Sequence, residues 1–172
     1  MSKQALIVID IQNDYFPDGA FPLWNSDAVL EANERAIARA QAKNIPVILV
    51  QHVADTAKAP SPFFNAGTPG VEVHERIRAA APDASVVVKT HADAFHLTKL
   101  EETLSKLDVE ELLISGMMTH NCVTHTAISK AAEKYAVKIL PDCCTSVSRP
   151  IHLMALSAVS IRTPLVESTD IL

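Results

Sequence analysis

The hydrophobic residues of this chain follow two alternating patterns. Short, nearly continuous apolar runs predict strands at residues 5–10, 45–53, 85–89, 110–115, 136–140 and 163–168. Apolar residues at every third or fourth position predict helices at 26–43, near 70–77, at 97–107, after Cys122 and at 150–161. Strands without polar alternation, each followed by a helix, are typical of a parallel sheet that is covered on both faces. The pattern therefore predicts an α/β fold.

Composition and charge narrow the class of protein. The chain has 172 residues, of which 48% are hydrophobic, without repeats or a linker, so we expect one domain over residues 1–172. A net charge of -5 without long charged runs argues against nucleic acid or a membrane surface as a partner. The apolar run at the start is too short for a signal peptide, and three cysteines make no disulfide framework. We expect a cytoplasmic protein with reduced thiols.

Chemically useful side chains follow the predicted strands. Asp10, His52 and Lys89 end the first three strands, and Cys122 follows the fourth. Ligands of a parallel sheet bind at the carboxyl ends of its strands, so these side chains should meet at one edge. Taken singly, Asp10 suits a turn and Lys89 a solvated strand end. Together they supply what a thiol nucleophile needs, which is a base to take its proton and a cation to keep that base ionised.

The position of Cys122 suggests an activated thiol. It lies where a strand turns into a helix, and backbone amides at a helix start favour a thiolate, as does Lys89. We therefore expect a pKa below the usual value of about 8.5, with the charge of Asp10 as the opposing influence. Two alternatives stay open. Cys122 is a small packed residue, or His120 is its base in place of Asp10.

Four segments, in order, resemble one family. They are "ALIVIDIQNDYF", "NAGTPGVEVHERI", "VVVKTHADAFHLTKLEETL" and "LLISGMMTHNCVTHTAISKAAEKYAVKILPDCCTS", and together they resemble the isochorismatase-like cysteine hydrolases. The resemblance implies a three-layer α-β-α fold with a six-stranded parallel sheet. It also implies a catalytic triad of Asp10, Lys89 and Cys122. Because relatives commonly form dimers or larger assemblies, we expect a homo-oligomer.

The same resemblance implies an oxyanion hole. Relatives have a non-proline cis peptide just ahead of the nucleophile, and the matching bond here joins Met117 to Met118. The backbone amides of Met118 and Cys122 would then point at one oxyanion.

The chain departs from the nicotinamidases of this family. They carry an Asp-x-His motif after the second strand and bind a metal, whereas "QHVADTAKAPSP" here contains His52 alone. A catalytic zinc needs three converging protein ligands, so we expect no metal and no other cofactor. Candidate substrate-binding residues are Tyr15, His52 and His120. Phe63, Phe64 and Trp24 are further candidates for the pocket wall, whereas Cys143 and Cys144 are expected to be packing residues.

The expected function is hydrolysis of a small molecule. Cys122 would cleave an amide, ureido or related C–N bond through a thioester. Two alternatives use the same scaffold. One is an isochorismatase-type hydrolase of a vinyl ether, and the other is a non-catalytic thiol sensor or binding protein.

Overall fold

The sheet of this protein has five parallel strands in the order β3-β2-β1-β4-β5. A computed structural model describes residues 3–57 and 60–172. The central strand β1 is buried between β2 and β4, as its continuous apolar sequence predicts. The strands are β1 Gln4–Ile9, β2 Val47–His52, β3 Ser85–Lys89, β4 Glu111–Met117 and β5 Ala136–Thr145.

Helices cover both faces of the sheet. On one face, α1 and α2 pack in a core with Leu6, Val8 and Leu49, and on the other α3, α4 and α5 pack against Ile7, Ile9 and others. The described residues include no helix long and apolar enough to cross a membrane. The helices are α1 Ser26–Ala42, α2 Glu75–Ala80, α3 Leu100–Lys106, α4 Thr124–Ala127, α5 Arg149–Val159 and α6 Ser168–Ile171.

The predicted sixth strand at 163–168 is wrong. Leu165 makes a single parallel bridge to Ile139 at the edge of β5, and α6 begins three residues later. Pro164 precedes the bridge and has no N–H to extend a ladder, which limits the pairing to this one point. The apolar run is instead a short cover over the edge strand.

Helix α1 is tied to β5 by a buried polar side chain. Asn33 is fully buried on the apolar face of α1, and its amide donates to the carbonyls of Val29 at 2.8 Å and Cys143 at 2.9 Å. The second bond joins residues 110 positions apart, so it fixes the helix against the carboxyl half of β5.

Candidate active site

The ammonium of Lys89 is the centre of a buried polar cluster at the carboxyl ends of β1, β2 and β3. It donates to Asp10 Oδ2 at 2.8 Å and to Cys122 Sγ at 3.2 Å. It also lies 2.9 Å from His52 Nδ1 and donates to the carbonyl of His91 at 3.1 Å. Burial lowers the pKa of Lys89, but the charge of Asp10 and the hydrogen bonds to Asp10 and Cys122 outweigh it and raise the pKa, so this side chain stays protonated. The structure thus brings together the strand-end residues that the sequence singled out.

Asp10 enters the cluster through an unusual backbone turn. Its φ of 52° bends the chain directly after β1, while its N–H still donates to Val50 and its carbonyl accepts from Gln12. Aspartate is one of the few residue types other than glycine that adopt this conformation at modest cost. Its Oδ1 atom is buried and has no hydrogen-bond partner among the described residues. One carboxylate oxygen is therefore held by Lys89, and the other is free to accept a proton.

Cys122 lies in the first helical turn after β4. The chain leaves β4 through the cis peptide Met117–Met118 and then forms a wide π-helical turn over Thr119–Val123. Gly116, directly before the cis bond, has a φ of 115°. A Cβ at this position would lie 2.0 Å from the carbonyl oxygen of Ile9. Only glycine permits this close approach of β4 to β1. The helix that follows Cys122 is short. It stops at Ala127, and a 3-10 turn follows over Lys130–Lys134.

The expected low pKa of Cys122 is not what the structure shows. Burial raises the pKa of the thiol above its usual value, and the carboxylate of Asp10 raises it further. Lys89 lowers it, but does not offset the other two influences. The thiol, only 3% exposed, therefore rests in its protonated form. The structure has the parts for a nucleophile that loses its proton to Asp10 as it attacks, rather than for a free thiolate.

His52 is fixed beside Lys89 by a side chain that sequence reasoning missed. The amide of Gln12 is fully buried and makes strand-like bonds to the backbone of His52, accepting from its N–H and donating to its carbonyl, both at 2.8 Å. Gln12 also donates to the carbonyl of Val71 at 2.6 Å. Burial and Lys89 lower the pKa of His52, so its ring is neutral at pH 7. The sequence feature that could have indicated this role is the position of Gln12, a polar residue shortly after the apolar strand β1.

Three atoms of this cluster are candidate metal ligands by distance. One ligand atom each from Asp10, His52 and Cys122 lies within 4.8 Å of the other two. However, Lys89 Nζ is already within 2.8 to 3.2 Å of Asp10 Oδ2, His52 Nδ1 and Cys122 Sγ. A metal ion bound to the three would sit against a permanent positive charge, which disfavours it strongly. These residues fit an ammonium group and do not fit a metal ion.

His120 has another partner than the thiol. Its Nδ1 is hydrogen-bonded to Ser146 Oγ at the end of β5, and the described residues show no hydrogen bond between His120 and Cys122. The neighbouring Thr119 hydroxyl lies 2.8 Å from His152 Nδ1 and donates to the carbonyl of Thr145. The Cys–His arrangement considered from the sequence is thus absent from the described residues.

An aromatic wall stands beside the cluster. Tyr15 is fully buried, and its ring centroid lies 4.5 Å from that of Phe64 and 5.5 Å from that of Phe63. The ring centroids of Phe64 and His52 are 5.9 Å apart. Trp24 is 37% exposed, and its ring centroid lies 5.9 Å from that of His152.

Asp14 ties together the loops that carry this wall, and it too was missed. Its buried carboxylate accepts from Phe64 N at 2.6 Å and from Ala20 N at 3.1 Å. A Cβ at Gly70 would lie 1.9 Å from Asp14 Oδ1, so a larger residue at this position would displace the carboxylate. The signal in the sequence was weak, because an acidic residue in a turn is usually solvated.

The fold and the buried thiol cluster define a cysteine-hydrolase type of α/β protein, and the comparisons agree. The sequence profile of the family described as "Isochorismatase domain" matches residues 4–170. The chain belongs to the isochorismatase family and is a hydrolase. It is 35% identical over 148 residues to the isochorismatase family protein YddQ of Bacillus subtilis, covering 86% of this chain and 81% of YddQ.

Two further relatives extend this picture. The nicotinamidase/pyrazinamidase of Mycobacterium tuberculosis is 26% identical over 182 residues, which covers 95% of this chain and 97% of that protein. A crystal structure of an isochorismatase hydrolase from Oleispira antarctica superposes with a TM-score of 0.86 at 28% identity, covering 98% of this chain and 95% of that one.

Proposed function

We propose that the protein hydrolyses an amide, ureido or related C–N bond of a small molecule through a thioester on Cys122. One observation carries the proposal. A single ammonium, that of Lys89, contacts a carboxylate and the thiol at 2.8 and 3.2 Å in a buried site. A structural lysine does not need a buried thiol at that distance, whereas a nucleophile with its base and counter-charge does.

The first half-reaction forms the thioester. Asp10 takes the thiol proton through its free Oδ1 as Cys122 Sγ attacks the substrate carbonyl. The backbone N–H groups of Met118 and Cys122 hold the resulting oxyanion, a role inferred from the family resemblance. Asp10 then passes its proton to the nitrogen of the breaking C–N bond, and the amine or ammonia leaves. Lys89 is paired with Asp10 at 2.8 Å and holds it beside the thiol at the start of the cycle.

The second half-reaction reverses the roles. Asp10 accepts a proton from a water molecule, which attacks the thioester carbonyl, and the thiol leaves with that proton. His52 is neutral and adjoins Lys89, so it suits contact with an uncharged part of the substrate, and His120 is a second candidate for contact at the β5 side. Both histidines act here as binding groups and not as bases.

The decisive experiment separates hydrolysis from thiol sensing. Wild type is screened for ammonia release against small primary amides and ureido compounds, with Cys122→Ala as the inactive variant and Cys144→Ala as the matched control. We expect turnover in wild type and Cys144→Ala only, with an acyl adduct on Cys122 in rapidly quenched samples analysed by mass spectrometry. Rapid labelling of Cys122 by iodoacetamide without turnover on any compound would favour the sensor. Cleavage of vinyl ethers alone would favour the isochorismatase-type reaction.

A further inference from the structure

Tyr15 has a hydroxyl group that the protein itself does not satisfy. Residues 3–57 and 60–172 offer no hydrogen-bond partner to Tyr15 Oη, although the residue is only 1% exposed. Among the described residues, the buried side-chain atoms that are fully sealed and unpartnered are Asp10 Oδ1, Asn33 Oδ1 and Ser115 Oγ. Tyr15 Oη is not one of them, so this oxygen is not fully sealed by the surrounding protein. Buried tyrosine hydroxyls normally find a partner.

The contacts of the ring place Tyr15 beside the candidate active site. The ring of Tyr15 packs on that of Phe64, with centroids 4.5 Å apart, and Phe64 packs on His52, whose Nδ1 is 2.9 Å from Lys89 Nζ. The ring therefore belongs to the wall that continues directly into the polar cluster. The ring centroids of Phe21 and Phe63 also lie near that of Tyr15, at 6.5 and 5.5 Å, and neither side chain can accept a conventional hydrogen bond.

Electrostatics keep the hydroxyl protonated. Burial raises the pKa of Tyr15, and the negative charge of Asp10 raises it further. Tyr15 is thus a permanent hydrogen-bond donor. The adjacent charges of Asp10 and Lys89 pair with each other, which leaves no uncompensated cation to attract a carboxylate.

We infer that the Tyr15 hydroxyl is a specificity-determining donor to an uncharged acceptor, such as a second carbonyl, on the acyl part of the substrate. This inference rests on the proposed function. The acyl part stays in the site through both half-reactions, so it suits a buried wall, whereas the amine must depart. An unoccupied donor in an apolar wall also discriminates against compounds that lack the acceptor, because such compounds leave the hydroxyl unpaired.

Binding to a protein without the thiol tests this inference separately from turnover. The probes are pyruvamide and isobutyramide, which have similar size and differ in a ketone oxygen against a methyl group. Cys122→Ala is compared with Cys122→Ala/Tyr15→Phe by calorimetry. We expect the added substitution to weaken the binding of pyruvamide by about tenfold, the change that one hydrogen bond typically supplies. The binding of isobutyramide should weaken by less than about twofold.

A spectroscopic readout locates the effect. The chain has two tyrosines, so labelling with [13Cζ]tyrosine gives two signals, and Tyr135→Phe assigns them. Pyruvamide should move the Tyr15 signal and leave that of Tyr135 in place. Equal weakening of both probes, no weakening, no binding of pyruvamide or an unmoved Tyr15 signal would overturn the inference. A failure of amide hydrolysis in the wild type would instead contradict the proposed function and leave the binding result unchanged.

Discussion

Cys122 and Cys144 are equally buried, yet only Cys122 contacts the buried ion pair of Asp10 and Lys89. Each is 3% exposed, and burial is the largest influence that raises the pKa of both thiols. Cys122 adjoins the Asp10–Lys89 pair, which supplies a proton acceptor and a positive charge. Cys144 lies within β5 beside Cys143, whose charge would raise its pKa further.

The difference shows that burial alone makes a thiol inert. Desolvation favours the neutral form at both positions, so neither is a ready thiolate at pH 7. In the proposed mechanism, reactivity at Cys122 depends on Asp10 and Lys89, which the parallel sheet brings from the ends of β1 and β3. Four measurements test whether the groups beside Cys122 distinguish it from Cys144.

The largest effect is expected from the pair beside Cys122. Lys89→Met leaves a buried carboxylate without its partner, so Asp10 should take up a proton and cease to be a base. Turnover should fall by roughly 100- to 10,000-fold in Lys89→Met and in Asp10→Asn, and the double variant should be about equally impaired, because the residues act as one unit. Steady-state kinetics on the amide found by the screen measures this. Additive losses, or near-normal turnover in Lys89→Met, would place Lys89 outside the machinery.

The pH dependence of alkylation should respond in opposite directions to the two charges. In wild type the midpoint for iodoacetamide labelling of Cys122 should lie above the free-thiol value of about 8.5, since its folded pKa is raised. Asp10→Asn removes an influence that raises the pKa, so the midpoint should fall. Adding Lys89→Met to Asp10→Asn removes one that lowers it, so the midpoint of the double variant should lie above that of Asp10→Asn. Cys122→Ala is the control, in which the native protein should label slowly at all pH values. A wild-type midpoint below 8.5 would contradict the structure.

A smaller effect is expected where loops are tied to the site. Asp14→Ala leaves the N–H groups of Phe64 and Ala20 without their acceptor, and we expect the free energy of unfolding to drop by about 1–3 kcal/mol. Because Phe64 carries part of the aromatic wall, KM should rise more than kcat falls. The exposed Asp18→Ala is the matched control, expected within about 0.5 kcal/mol of wild type. Urea unfolding and steady-state kinetics measure the two quantities, and an unchanged KM would show that Asp14 does not position the wall.

The smallest expected effect is that of a chelator. Lys89 occupies the point that Asp10, His52 and Cys122 would offer to a metal, so EDTA should leave turnover unchanged. The measurement is turnover before and after dialysis against EDTA, with zinc or iron added back. Loss of activity that either metal restores would show that the cluster binds a cation in place of the ammonium contacts.

Local sequence determined the strands and the residues at their ends. Continuous apolar runs specified β1 to β4 within a few residues, and the rule that ligands meet at the carboxyl ends of parallel strands was enough to group Asp10, Lys89 and Cys122. The family resemblance is confirmed by the comparisons. Periodicity could not distinguish a sixth strand from the single bridge at Leu165, because pairing depends on what lies beside the run and not on its own composition.

The protonation state of Cys122 and the contacts that support the site depend on the tertiary structure. The helix start and Lys89 suggested a thiolate, but the depth at which the sheet and helices bury Cys122 makes the neutral thiol the favoured form. Gln12 reaches across to His52 and Asp14 to Phe64, over 40 and 50 positions of sequence. Desolvation and contacts between distant segments depend on the packed chain, and a linear pattern records neither, which is why the residues were identifiable from sequence and their protonation and support were not.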